Sequence, residues 1–440
     1  MHLAAHFPGD NNTTVWADPD SGSQIEFASF EHLARTAERG LFDFFFLAEG
    51  LRLREHKGRI HDLDVVGRPE SITVLNALAA VTERLGLAAT VNATFNEPYE
   101  LARRFATLDH LSGGRAAWNM GTSSDAFTGE NFRRGGFLDR AERYTRAAEF
   151  LDTAKELWGS WTPDGIPRPF AHRGRHFDIA GEFTLPRSPQ GHPVVIQAGD
   201  SEEGREFAAS AADVIFSGWG SGGYSPGRRS TWQSSLEDGR AFYADVKRRL
   251  AKYGRRQGDL KVMPGVGVVL GDTAAEAQER AAEIRRQQTS PQTALLTMEQ
   301  IWGVDLSSYD PDGPLPDIDP VVDPALTQGR TRRGDTVAIA EKWRALSKEK
   351  GLSIRKTVIE AGGRHLFTGT PEAVARELDE HVRREAADGF ILVPHLTPGG
   401  LDEFVDRVVP LLQERGAFRT EYRGTTLRSH LGLPDPVSNG

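Results

Sequence analysis

Residues 97–121, EPYELARRFATLDHLSGGRAAWNMG, read as one helix-to-strand unit. The helix is predicted over 98–110, with Leu101, Phe105, Leu108 and Leu111 at helical spacing on one side. Gly113-Gly114 ends it, because the turn into a strand needs backbone angles that a side chain resists. Arg115 then opens the strand. Ala116, Trp118 and Met120 point one way and Ala117, Asn119 and Gly121 the other, since strand side chains alternate. One face is bulky. The other is bare except for one amide, which leaves room for something flat and polar and gives the first hint of a cofactor. Asp109 and His110 end the helix on the far side and are expected to fasten the turn to Arg115.

The same unit recurs in both directions along the chain. Apolar or alternating runs predict strands over 3–7, 41–48, 86–94, from 115, and over 194–198, 213–217, 262–270 and 390–394. Helical patterns lie between them at 27–39, 72–84, 98–110, 140–158, 201–211, 236–253 and 371–386. Strands alternating with helices imply an all-parallel sheet, and eight is the number at which such a sheet closes. The predicted fold is therefore α/β, a (β/α)8 TIM barrel with insertions, with residues 1–440 forming a single domain. Residues 285–356, between strands seven and eight, form the largest insertion. Its middle, 309–320, is rich in proline and aspartate and cannot be a regular element. It is a lid over the site or a spacer.

Composition removes several classes. There is no cysteine, which excludes disulfides, thiolate nucleophiles and iron–sulfur clusters. A net charge of −9 argues against nucleic acid as the main partner. With 38% hydrophobic residues a large core is available, but no run reaches the ~18–20 apolar residues of a membrane span. The N-terminus lacks the basic start and apolar core of a signal peptide. A cytoplasmic protein with no membrane partner is expected.

In a barrel, function sits where the strands end. Those ends read Ala48-Glu49, Asn92-Ala93-Thr94, Thr122-Ser123, Gly199-Asp200-Ser201, Ser217-Gly218 and Pro394-His395. They contain no Ser–His–acid pattern and no paired carboxylates. His172 and His176 are four apart in a loop-like stretch, so no metal site is expected. Many hydrogen-bonding groups without a nucleophile suit a cofactor that does the chemistry itself. Gly199-Asp200-Ser201 starts a helix, so its amides form a phosphate site or Ser201 is simply an N-cap. Asp200, Glu202 and Glu203 would repel a phosphate. Gly218–Gly223 matches GxGxxG but runs into Tyr-Ser-Pro-Gly rather than a helix, and reads as a flexible loop. Glu49 is a base, a ring contact or the partner of Arg52 or Arg54.

RRFATLDHLSGGRAAWNMGTS resembles the turn and strand of the bacterial-luciferase-like flavin monooxygenases. The resemblance is to the branch containing nitrilotriacetate monooxygenase component A, dibenzothiophene-sulfone monooxygenase, pristinamycin synthase and long-chain alkane monooxygenase. FDFFFLAEG, Asn131-Phe132, Arg143-Tyr144 with Ala147, Glu149 and Phe150, SPQGHPVVIQAGDSEEG, FTGTPEAVA and the tail VVPLLQERGAFRTEYRGTTLRSHLGL extend it over nearly the whole chain. It implies reduced FMN over the barrel mouth, supplied by a separate NAD(P)H-dependent flavin reductase. With O2 the flavin would form a (hydro)peroxide that oxygenates a small aminopolycarboxylate, organosulfur or nitrogen-bearing substrate. On matching positions, Ala48 and Glu49 border the ring, Asn92 and Asn119 bond its polar edge or ribityl chain, and Thr122 and Ser123 lie beside it. Tyr144, Ser201 and the amides around Gly199 and Asp200 hold the phosphate. Glu49, Asn119 and Ser123 are the catalytic candidates. Asn11, Trp16, Arg52, His56 and His395 are the substrate candidates. Arg54, Arg59 and His61 share the loop of Arg52 and His56, which binds an anionic substrate or is a solvated loop. The resemblance also implies a homodimer or tetramer.

The chain departs from the family at four places. Asn11 and Asn12 stand where a His is frequent, Gly121 where a Val is common, Asp200 where a small or hydroxyl residue is usual, and Arg133 where a Gly follows Asn-Phe. The alternatives are a deazaflavin-dependent hydride-transfer enzyme on the same fold, or a non-catalytic flavin-binding protein.

Overall fold

The computed structural model describes residues 1–9, 13–53, 55–60, 68–123, 126–132, 142–162, 164–218, 232–321, 327–328, 335–362 and 365–436. The strands β1 (His2–His6), β2 (Phe44–Leu47), β3 (Gly86–Asn92), β4 (Ala116–Gly121), β5 (Val194–Ala198), β6 (Val214–Ser217), β7 (Lys261–Leu270) and β8 (Gly389–Leu392) pair in chain order, all parallel. β8 pairs with β1, placing Ala4 beside Ile391, so the sheet closes. This is the (β/α)8 barrel expected from the alternation of elements.

Between the strands run α1 (Phe27–Arg39), α2 (Ser71–Ala79), α3 (Pro98–Leu111), α4 (Arg143–Trp158), α5 (Glu202–Ala211) and α6 (Trp232–Arg249). After β7 come α7 (Ala274–Gln288), α8 (Pro291–Trp302), α9 (Thr336–Lys350) and α10 (Ile354–Ala361). A strand Leu366–Gly369, paired to the far half of β7, and α11 (Pro371–Arg383) then lead into β8. Helices α8, α9 and α10 bury Met298, Trp302, Leu306, Trp343, Ile354 and Val358 in a cluster of their own, apart from the barrel core. Residues 303–321 hold no helix or strand, as their prolines and aspartates require.

Strand alternation decides which side chains reach the barrel interior. Ala4, Phe44, Phe46, Ala88, Ala117, Val194, Ile196, Val214, Met263 and Ile391 fill it, the aromatics of β2 using the room left by alanines on β1, β3 and β4. Leu3, Phe45, Leu87, Ala116, Trp118, Met120 and Val195 pack outward with the helices. The tail closes the opposite end: Leu427, Leu431 and Leu433 join the interior cluster, and Arg428 pairs with Asp213 at 3.1 Å.

The 97–121 unit folds nearly as read. Gly113 and Gly114 take φ of +68° and +91°, and a Cβ on Gly114 would meet Thr426 Cγ2 at 2.8 Å. Two details differ. Leu111 is 65% exposed, because at 100° per residue it lies about 80° off the Leu101–Phe105–Leu108 stripe, where Ser112 is buried instead. Asp109 does not hold Arg115: it accepts from Ala116 N at 3.0 Å and Gln190 Nε2 at 2.6 Å. Arg115 instead saturates its guanidinium on carbonyls around the end of α2, Ala79 O, Thr82 O and Leu85 O. Backbone dipoles there take the place of an acid.

Candidate functional site

At the C-terminal mouth of the barrel the interior face turns from apolar to polar in two steps. The floor is aromatic: the His6 ring stacks on Phe46 at 5.3 Å, and Phe46 meets Phe216 from across the barrel at 5.5 Å. One level up, β3 and β4 pair Thr90 with Asn119, and Asn119 Nδ2 donates to Thr90 Oγ1 at 3.0 Å. Asn119 is 5% exposed, and its Oδ1 is buried with no donor among the described residues. A buried carbonyl oxygen left unpaired costs ~1–3 kcal/mol, so such an atom at a barrel mouth points to an N–H or O–H supplied by a ligand. The next level pairs Asn92 with Gly121; Asn92 Oδ1 accepts from Thr94 N at 2.6 Å. A Cβ on Gly121 would press to 3.3 Å from Asn92, so the glycine keeps this level open.

Ala48 and Glu49 end β2 beside this polar strip. Glu49 is half-buried, and burial together with the charge of Glu70 pushes its carboxyl up to about 8, against a hydrogen bond from the Asn92 N–H. Glu70 itself is tied down by capping α2 at Ile72 N and Thr73 N and by Arg104 at 2.6 Å. Glu49 is thus a neutral acid near pH 7. Thr122 and Ser123 follow β4 at the same rim.

The second half of the mouth lies where β5 meets α4 and α5. Ser201 caps α5, accepting from Gly204 N at 3.1 Å, which leaves its hydroxyl proton free to donate outward. Both roles weighed for Ser201 are therefore compatible. Gly199 and Gly204 line a small hollow: a Cβ on Gly204 would sit 3.2 Å from both Tyr144 Oη and Ser201 Oγ, and one on Gly199 4.0 Å from Tyr144 Oη. With the amides at the start of α5 this hollow suits a small anion. Asp200 turns its carboxylate to Gly218 N at 3.1 Å, linking the turns after β5 and β6. The mouth therefore fits a planar ligand with hydrogen-bonding edges and an anionic tail.

The remaining predicted residues fall in the surrounding loops. Arg52 lies over the Phe127 ring at 3.6 Å and pairs with Glu130 at 2.6 Å, while Asn131 Nδ2 donates to Leu51 O at 2.9 Å. Phe132 stacks on Phe95 at 4.7 Å, so the loops after β2, β3 and β4 form one wall. His56 is buried against Glu299 of α8. Trp16 and His395 occupy the loops after β1 and β8, which meet where Val15 N donates to His395 O at 2.8 Å. Burial lowers the His395 imidazole below its usual value, helped by Arg280. Asn11, Arg54, His61, Arg133 and most of the glycine-rich 218–223 loop lie outside the described residues, as does the Arg59 side chain. Among the described residues no group of three metal-ligating side chains converges, and no helix is long and apolar enough to cross a membrane.

Several residues of the mouth were not singled out from sequence: His6, Thr90, Gln197, Gly204 and Phe216. Gly204 carried a signal, since glycine in the first turn of a helix costs ~0.5–1 kcal/mol against alanine and is kept there for space. His6 and Phe216 become recognisable only when closure brings β1 and β6 to opposite sides of one floor.

Comparison with known proteins places this geometry. Residues 12–389 match the model of the luciferase-like monooxygenases. The chain is 39% identical to N-acetyl-S-(2-succino)cysteine monooxygenase of Bacillus subtilis (strain 168), over 97% of this chain and 95% of that protein. It is 38% identical to nitrilotriacetate monooxygenase component A of Aminobacter aminovorans, over 96% and 93%. Among solved structures it resembles a riboflavin lyase holding a modified FMN and riboflavin, with a TM-score of 0.75 and 27% identity over 99% of this chain and 96% of that one. The chain belongs to the luciferase-like monooxygenase family.

Proposed function

We propose that this monooxygenase uses reduced FMN and O2 to oxygenate a small organic substrate, and receives the flavin from a separate NAD(P)H-dependent reductase. The observation that carries this is the unpaired, buried Asn119 carbonyl on an otherwise bare strand face, level with Thr90 and one step below Asn92 and Gly121. When bound, the reduced flavin supplies the electrons that activate O2. Ala48, Asn92, Asn119, Thr122 and Ser123 would hold the ring and ribityl chain, and Tyr144, Gly199, Ser201 and Gly204 the phosphate. Glu49, kept protonated, would offer a hydrogen-bond donor at the ring edge rather than a negative charge. The aromatic floor of His6, Phe46 and Phe216 keeps water from below, and the 285–356 segment would cover the mouth from above.

Two relatives are named for carboxylated small molecules, which favours a substrate bearing carboxylates and a thioether or amine. Arg52, His56 and Lys57 already face acids of this chain, so they would shape the wall rather than supply free charge. A component A relative supports the separate reductase, with which contact would be transient, and a homo-oligomer is proposed from the resemblance alone.

The test is anaerobic titration with reduced FMN, then mixing with oxygenated buffer with and without carboxylated thioethers and amines. Saturable binding, slowed flavin oxidation and a substrate-dependent fall in released hydrogen peroxide are expected. No binding of reduced FMN sinks the proposal and turns attention to a deazaflavin.

A further inference from the structure

A cavity of about 40 Å³ lies between the last residues of β7, the end of β8, α7 and the helix Asp402–Arg407 that follows β8. A single water needs ~10–15 Å³ by the same measure, so the space takes a group of a few heavy atoms and excludes a flavin or a nucleotide. Val268, Leu392, Leu401 and Phe404 supply its apolar wall. Gly400 lets the following turn close against the end of β8, since a Cβ there would meet Pro394 Cβ at 2.8 Å. Three polar side chains complete the lining: Arg280 of α7, Glu403, and His395 from the loop after β8.

The three are not equally engaged. Glu403 accepts from Arg407 Nη1 at 2.8 Å. Arg280 is half committed: its Nη1 donates to Leu270 O at 2.6 Å, but its Nη2 reaches Glu403 only at 3.4 Å, at the limit of a hydrogen bond. The His395 ring takes part in no hydrogen bond among the described residues, although its backbone is fixed by Val15 N. The charged groups around that ring are Arg280 from α7, Glu403 from the helix after β8 and Asp18 from the loop after β1; burial, with Arg280 nearby, holds the imidazole in its neutral form. An under-used guanidinium and an open imidazole thus face one small apolar space. A cation there would be repelled by Arg280. A purely apolar guest would leave both polar groups against hydrocarbon. A molecule with a carboxylate at one end and a short hydrocarbon at the other meets every wall.

We propose that this cavity binds a short aliphatic carboxylate, with Arg280 Nη2 and the His395 ring donating to its oxygens and the apolar wall taking its chain. The same chemistry has two sources, a free small acid or the carboxylate end of the substrate. Charge-assisted bonds of this kind are roughly twice as strong as neutral ones, so the carboxylate rather than the chain sets the preference. A bound anion also favours imidazolium, so binding takes up a proton at His395 and tightens as the pH falls.

The experiment is calorimetric titration of the apoprotein with propionate, 1-propanol and propylammonium at pH 6 and pH 8 and constant ionic strength, alongside thermal unfolding of each variant. Propionate should bind in the millimolar range, about tenfold or more tighter than the alcohol or the amine, and about threefold or more tighter at pH 6 than at pH 8. Arg280→Met should lower propionate affinity about tenfold or more, and Val268→Phe should abolish binding by filling the cavity. His395→Gln should bind propionate equally at both pH values. Propionate held no tighter than 1-propanol, or equal propionate affinity in wild type, Arg280→Met and Val268→Phe, would overturn the proposal. If Arg280→Met does not fold, Val268→Phe and the pH comparison with His395→Gln decide. A carboxylated thioether or amine that displaces propionate assigns the cavity to the substrate's own carboxylate, and one that binds alongside it assigns the cavity to a separate acid; both support the site. No flavin enters the titration, so its failure leaves the flavin function standing.

Discussion

His56 and Glu299, 243 residues apart, form a buried hydrogen-bonded pair that fastens α8 to the hairpin following β2. Lys57 Nζ adds a bond to the other Glu299 oxygen at 2.8 Å, and Leu306 N donates to that oxygen at 2.6 Å. Residues 327–328 pair antiparallel with 55–56 in the same place. The segment between β7 and β8 is thus clasped to the rim of the barrel on the side of β2.

Glu299→Ala should release that clasp. Glu299 is 1% exposed, and its loss removes a buried hydrogen-bond acceptor from His56 and Leu306 N, a change of ~1–3 kcal/mol, while Lys57 keeps Asp305. Because α8–α10 have their own apolar cluster, the loss should appear as local opening. Limited proteolysis should cut first between β7 and β8 at unchanged far-UV signal, and more hydrogen peroxide should leak per substrate oxygenated. Cleavage at the wild-type rate would show that the clasp holds nothing.

Asn119→Leu separates stability from binding. Among the described residues its Oδ1 has no partner, which offsets the loss of the Nδ2 bond to Thr90, so removing the amide should change apoprotein stability by no more than ~1 kcal/mol. Reduced-FMN affinity should drop by ~1–2 kcal/mol, about a factor of 5–30. A fall in unfolding temperature with unaltered affinity would assign Asn119 to the scaffold.

Gly204→Ala places a methyl 3.2 Å from Tyr144 Oη and Ser201 Oγ. Alanine favours the helix by ~0.5–1 kcal/mol, so the apoprotein should hold or gain stability while FMN binding weakens. Riboflavin binding, lacking the phosphate, should be affected less. Calorimetric titration with both flavins gives the comparison directly.

Glu49 predicts a pH dependence. Its folded value of about 8 lies above the ordinary 4.5, so its contribution to stability is whole below pH 4.5 and is lost as pH rises through about 8. Glu49→Gln should remove that loss. At pH 9 the variant should exceed wild type by on the order of 2 kcal/mol after allowing for partial exposure, and the two should converge near pH 5. Denaturant unfolding at both pH values measures it; parallel curves would mean that Glu49 ionises normally.

Much of the barrel is legible in one dimension because its signals are local. Residues 194–198 form a strand with the bounds their run of Val-Val-Ile suggests, and Ala116–Gly121 sorts bulky from bare faces by alternation alone. The insert is less legible for a stated reason. α7 buries only Ala277, Ala281 and Ile284, so its periodicity is carried mostly by alanine and is faint. The hairpin Phe170–Arg173 with Asp178–Gly181 has largely exposed strands and is held from outside by Glu149, which accepts from His176 N and Phe177 N, both at 2.9 Å. At the mouth, Asn92 and Ser201 stood out as polar groups where elements end and Asn119 as the one amide on a bare strand face, while Tyr144 entered only through the resemblance. Arg52 and His56 read as part of a loop that binds an anion or is solvated, while their acids Glu130 and Glu299 arrive from distant segments of the chain. No spacing within one segment announces such a partner.

The tail that seats Leu427, Leu431 and Leu433 inside the barrel has a consequence for biosynthesis. β1 needs β8 beside it, and the interior needs these leucines beneath it, yet both follow every other strand of the barrel along the chain. A nascent polypeptide therefore carries an open-edged sheet with a hollow base until residues 389–433 have been made. Termination before residue 427 would leave an unsealed cylinder, a substrate for chaperones and proteases rather than a working enzyme.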